Sequence, residues 1–173
     1  MSSEVASTGT GLQSADSHDL TATHPGEDLE DFVTFFVSDQ MFGIPVLKVQ
    51  DILTPDKIAS IPLAPPEVKG SINLRGRIVT VIDVRVRLGL MTSSSSGNGS
   101  VGMGVTVEHE SDLYTFLVDR IGDVIGLSTD LFEKNPGTLD PTWREVSTGV
   151  YRLEDKLMVV LDIDRMLDMV GGN

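Results

Sequence analysis

"GSINLRGRIVTVIDVR", residues 70–85, is the stretch on which the reading of the fold turns. Two apolar runs, one ending at Leu74 and one starting at Ile78, flank Arg75 and Gly76. The second run is rich in β-branched residues and reads as a buried strand. Gly76 suits a tight turn between strands, because such turns need φ > 0. Arginine is not what a turn requires, so something beyond local geometry selects Arg75. The stretch reads as strand, turn, strand.

Outward from this hairpin the chain alternates short strands with breakers. "IPLAPPEVKG" before it holds three prolines and reads as a loop, with one short helical turn at "PEVKG". Earlier, "FVTFFV" from Phe32 is a strand, "SDQM" a turn, and "FGIPVLKVQDIL" a further strand. Pro45 cannot donate to a ladder and marks an edge or a bend there. After the hairpin, "RVRLGL" suggests a short helix. "VTVEH", "LYTFLVDRIGDVIGL" and "KLMVVLDI" continue as strands. "DIDRMLDMV" has apolar residues at helical spacing behind acidic ones and reads as a C-terminal helix. Residues 1–30 are Ser/Thr/Gly/acid-rich and are expected to form a disordered acidic tail. The Ser/Gly run at 92–104 is expected to be a flexible loop. Many short strands with Gly/Pro/Ser turns point to an all-β chain of small barrels with short helices.

A weak internal repeat supports two such units. "FGIPVLKVQDIL" from Phe42 lies over "YTFLVDRIGDVI" from Tyr114, which sets Asp51 on Asp123 and Thr34 on Thr106. "RIVTVIDVRVRL" from Arg77 lies over "KLMVVLDIDRML" from Lys156, which sets Asp83 on Asp162. Arg75-Gly76 then falls on Glu154-Asp155, an ordinary polar turn, so the turn belongs to the fold and the arginine does not. A real duplication implies two similar barrels packed together.

The totals exclude several function classes. The 173 residues carry a net charge of −13 and no cysteine. No basic face for phosphates is visible, which argues against nucleic acid and against an anionic membrane surface. No apolar run approaches the ~18 residues needed to span a bilayer. The N-terminal region has neither the early basic residues nor the apolar core of a signal peptide. A cytoplasmic setting is expected, as is the absence of disulfides and Cys-held metal.

"QMFGIPVLKVQDIL", "PPEVKGSINLRGRIVTVIDVRVRLGL" and "FLVDRIGDVIGL" together resemble the CheW family of chemotaxis coupling proteins, in the right order over residues 31–169. The resemblance implies two SH3-like five-stranded β-barrel subdomains around a shared core, over a domain at 31–170. It implies a non-enzymatic adaptor that binds the cytoplasmic tips of chemoreceptors and the regulatory domain of the histidine kinase CheA, and so reaches membrane-bound receptor arrays only through partners. It implies no cofactor. The chain departs from the common pattern at Thr80, where many members have proline, and at Asp51, where glutamate is common.

The candidate partner-binding residues are Arg75, Asp51, Val49, Ile52, Ile44, Asn73 and Lys69. Arg75 can grip a carboxylate with its planar fork, and Asp51 is the natural intramolecular partner beside a groove for the receptor helix. Val49, Ile52 and Ile44 either line that groove or fill core, with Leu47 expected on the face of Val49 and Asp51. Asn73 satisfies a turn amide or faces a partner; Lys69 is a solvated charge or a contact. Val118 and Ile121 repeat the groove positions or lie in core. Kinase contacts are expected on barrel ends, with Pro62–Pro66 and Leu127–Phe132 as candidates. The competing class is a small β-barrel enzyme or ligand-binding domain, which would need a pocket with converging polar groups. The sequence holds no metal-spaced histidines, phosphate loop or nucleophile elbow. His109 between Glu108 and Glu110 points to opposite strand faces from its neighbours. Asp51, Asp83, Asp123 and Asp162 recur at equivalent repeat positions, as structural turn carboxylates would.

Overall fold

The computed structural model describes residues 28–90 and 102–168. In chain order the elements are β1 (Leu29–Val37), β2 (Gln40–Pro45), β3 (Val49–Leu53), β4 (Val68–Leu74), β5 (Arg77–Asp83), α1 (Val84–Arg87), β6 (Met103–His109), β7 (Asp112–Val118), β8 (Arg120–Ser128), α2 (Pro141–Val146), β9 (Ser147–Arg152), β10 (Leu157–Leu161) and α3 (Ile163–Asp168). Single 3-10 turns occupy Val46–Lys48 and Thr129–Leu131. The protein is all-β with short helices, built as two five-stranded barrel subdomains.

The two sheets run β8-β1-β2-β10-β9 and β3-β6-β7-β5-β4. Replacing each strand of one order by its partner in the repeat gives the other order. The duplication seen in the sequence is therefore a duplication of topology, with Thr34 and Thr106 on β1 and β6 and Asp51 and Asp123 on β3 and β8. The repeat is also interlocked, because each sheet draws on both halves: β1 and β2 join β8, β9 and β10 in one, and β6 and β7 join β3, β4 and β5 in the other. The first half's β3 pairs with β6, and the second half's β8 pairs with β1. This corrects the reading of "FGIPVLKVQDIL" as one strand. Pro45 ends β2, the 3-10 turn at Val46–Lys48 redirects the chain, and β3 starts in the other sheet. Leu47 therefore sits on the turn, 93% exposed, rather than on the strand face of Val49 and Asp51. At the matching joint between β7 and β8, Asp119 accepts from the Ser38 N–H and from the Arg85 side chain. That hydrogen bond holds the Arg85 guanidinium above its ordinary pKa, against the opposing effect of burial.

The core lies between the sheets. Phe35, Val37, Phe42 and Ile44 from one pack against Ile82, Val105, Val107 and Phe116 from the other, all fully buried. Such burial stabilises by about 1.5–3 kcal/mol per side chain. Phe32, Tyr151, Met158 and Val160 fill the first barrel, and Ile72, Val79 and Val81 fill the second. The helices sit at repeat-equivalent strand ends. Asp83 caps α1 by accepting from the Arg85 and Val86 N–H groups, and Asp162 accepts from the Arg165 N–H at the start of α3. Two of the four recurrent aspartates are thus helix caps, whereas Asp51 and Asp123 lie within strands. Arg87, nearly buried, donates to the Met166 and Arg165 carbonyls near the end of α3 and ties the halves together.

Other boundaries shift as well. The first strand starts at Leu29 rather than Phe32, so part of the expected tail is ordered; residues 1–27 lie outside the described residues. Met103 and Gly104 belong to β6 rather than to the Ser/Gly loop, of which 92–101 lie outside the described residues. "PEVKG" forms a turn leading into β4, with the Val68 N–H donating to the Pro65 carbonyl, and not a helical turn. The short helix α2 was not anticipated, although "DPTWRE" carries its signals: Asp140 caps it through the Thr142 N–H and Pro141 stands at its first position.

Candidate functional site

The opening stretch forms the hairpin β4–β5, with Leu74 opposite Arg77. Arg75 and Gly76 are the two turn residues, at φ 52° and 85°. Two successive positive φ values define the hairpin turn whose twist matches that of the strands. Glycine adopts this freely at the second position. Arginine at the first pays a steric cost that asparagine or glycine would avoid. The Asn73 side-chain carbonyl accepts from the Gly76 N–H at 2.9 Å and clamps the turn. Asn73 is thus the turn-amide residue, its oxygen already engaged.

Arg75 reaches across to Asp51 on β3, with Nη2 3.3 Å from Oδ2. β3 and β4 are the two edge strands of one sheet, so the ion pair spans the seam of the curled barrel. Aspartate, one methylene shorter than the common glutamate, still makes the contact. Arg75 remains 83% exposed, and the Asp51 side chain 28%. The first barrel has no counterpart, because the repeat places acidic Glu154 where Arg75 stands and Asp123 where Asp51 stands.

β3 alternates half-buried and exposed residues from Val49 to Leu53. Val49 turns inward against the shared core, while Ile52, 40% exposed, faces outward. Ile44 is fully buried and offers no surface, which corrects its inclusion among contact residues; β2 lies inside its sheet, and the inward face of that strand is core. Val118 is buried core and Ile121 packs against it. Lys69 and Asn73 are both exposed on β4. Ile78, opposite Asn73 and 73% exposed, escaped sequence reading; Leu47 lies on the 3-10 turn, and Leu63, within the Pro62–Pro66 candidates, is fully exposed at φ 60°. Ile78 had a signal, since strand alternation puts it on the face opposite Val79. Of the barrel-end candidates, Leu131 and Phe132 are also exposed.

The family model described as "CheW-like domain" matches residues 31–171. The chain belongs to the CheW family. Its relatives include chemotaxis proteins CheW of Treponema pallidum, 30% identical over 78% of this chain and 79% of that one, and of Klebsiella aerogenes, 29% identical over 80% and 81%. The Helicobacter pylori CheW is 25% identical over 82% of this chain and 83% of its own. In structure, the scaffolding protein TtCheW from Thermoanaerobacter tengcongensis superposes with a TM-score of 0.73 at 24% identity, over 84% of this chain and 97% of that one. The fold is therefore shared with a CheW scaffold. Among the described residues no group of three or more His, Asp or Glu side chains could hold a metal ion. No helix among them is long and apolar enough to cross a membrane. His109 is engaged by Asp164 of α3, its Nδ1 2.8 Å from Oδ1.

Proposed function

We propose that this chain is a non-enzymatic cytoplasmic adaptor that couples chemoreceptor tips to the regulatory domain of the histidine kinase CheA. The observation that carries the reading is the Arg75–Asp51 pair: a mostly exposed arginine held in a left-handed turn that would fold more easily without it. Membership of the CheW family supports the chemotaxis setting. The proposed contact surface has Arg75 and Asp51 as its polar centre, Ile52 as apolar anchor and Lys69 as a flanking charge. Val49 and Ile44 support β3 and β2 from within, and Asn73 holds the turn in shape. A receptor helix would present an acidic side chain to the spare donors of Arg75 and an apolar one to Ile52.

A pull-down with a receptor-tip fragment and the isolated CheA regulatory domain tests this. The wild-type chain is expected to retain both, and Arg75→Ala to stay folded and lose the receptor fragment. A wild-type chain that retains neither overturns the adaptor reading.

A further inference from the structure

A cavity of about 360 Å³ opens at the first barrel, between β1, β9, β10, α3 and the turn at Thr129–Leu131, and neither Arg75 nor Asp51 lines it. Its volume falls within the ~300–1,000 Å³ usual for small-molecule sites. One wall is aromatic: Tyr151 packs edge-on to Phe32 and tilted to Phe132, with ring centroids 5.4 and 5.5 Å apart. Tyr151 is 1% exposed as a residue, and its hydroxyl makes no hydrogen bond among the described residues; no buried side-chain oxygen there lacks a partner, so this oxygen is accessible at the cavity that Tyr151 lines. The charge around the cavity is unbalanced. Glu30, Asp162 and Asp164 line it against the single cation Lys48. Asp162 already caps α3 and Asp164 already meets His109. Glu30 has no ion pair among the described residues.

We infer that this cavity is a binding site for a small organic cation, a primary ammonium on an aromatic or branched aliphatic body. The aromatic wall takes the body, and the ring faces favour a nearby positive charge. The ammonium donates to the Glu30 carboxylate and to the open oxygen of Tyr151. A phenol is neutral at neutral pH, and burial, then the Glu30 charge, raise Tyr151 further above its ordinary value, so its oxygen accepts from the cation. An anion of the same size meets three carboxylates and is rejected. This site is separate from the surface assigned to receptor contact.

The test is a titration of the full chain, followed by backbone amide NMR, with 2-phenylethylammonium, neutral 2-phenylethanol and anionic 3-phenylpropionate. The ammonium is expected to give saturable shifts at Thr148, Tyr151 and Ile163. The alcohol should bind at least about fivefold more weakly, and the carboxylate should not saturate. Tyr151→Phe and Glu30→Gln, both folded by their amide spectra, should each weaken the ammonium about fivefold. Absence of saturable shifts with the ammonium, shifts centred elsewhere, equal binding of the carboxylate, or full affinity in either variant would each overturn the inference.

Discussion

Arg75 holds Asp51 at 3.3 Å from a backbone position that disfavours arginine, at φ 52°. An exposed ion pair contributes at most ~1 kcal/mol, and a left-handed non-glycine residue costs about 1–2 kcal/mol. The two effects roughly cancel, so the pair does not exist to stabilise the fold. Arg75→Gly is therefore expected to raise the urea midpoint slightly while receptor binding falls. Arg75→Ala should stay within about 1 kcal/mol of wild type. A drop of several kcal/mol in either variant would make the arginine a structural residue.

Asn73 has the opposite profile. Its side-chain oxygen satisfies the Gly76 N–H, so Asn73→Ala should cost about 1 kcal/mol of stability. Asn73→Asp keeps the acceptor and should recover most of it. Equal stability of the two variants in urea unfolding would show that the clamp contributes nothing.

Arg87 joins the two halves through two carbonyls near the end of α3, each at 3.1 Å. Arg87→Met leaves those acceptors unpaired in a site with little water. The expected loss is about 2–4 kcal/mol by urea denaturation. Arg87→Lys should recover only part, because a point charge cannot replace the two-donor fork. Full recovery by lysine would reduce the interaction to charge alone.

The chain has two tyrosines, and burial raises both phenols above their ordinary value, Tyr151 with help from Glu30 and Tyr114 with help from Asp112 and Glu110. A raised phenol pKa means that the unfolded chain loses its proton first. The stability involved is complete below pH ~10 and declines as pH rises past that point through the folded values. Tyrosinate absorbance should rise only above pH ~10 while the fold persists, and Tyr151→Phe should flatten part of the alkaline stability loss. A tyrosine in the native chain that ionises below its ordinary value would contradict the packing of both rings.

The strands and the duplication were legible because β-branched alternation and self-similarity are local signals. The hairpin turn could be read from residues 70–85 and the terminal helix from the helical spacing of "DIDRMLDMV", whereas the pairing of Arg75 with Asp51 also leaned on the family resemblance. The change of sheet between β2 and β3, and again between β7 and β8, was not legible. A proline and a three-residue turn redirect the chain, but nothing local says which sheet receives it. Ile44 was misplaced for the same reason, since a strand's apolar face does not reveal whether it meets core or partner. The exposure of Leu47 was not legible because it follows from a turn that the apolar pattern around it masks. The cavity beside Tyr151 draws its walls from both ends of the chain, and no window of sequence contains it.

The exchanged strands also set how this molecule comes apart. A duplicated chain suggests two lobes that could melt separately, as beads on a string do. Here neither half owns a complete sheet. Removing the second half strips β3 of its only sheet neighbour, β6, and removing the first strips β8 of its only one, β1. Each lobe is closed by sequence that is remote along the chain, so loss of either opens the other's seam and wets its interior. Heat or denaturant should therefore meet one cooperative object, with a single transition reported alike by Trp143 in the second half and by any probe placed on β4.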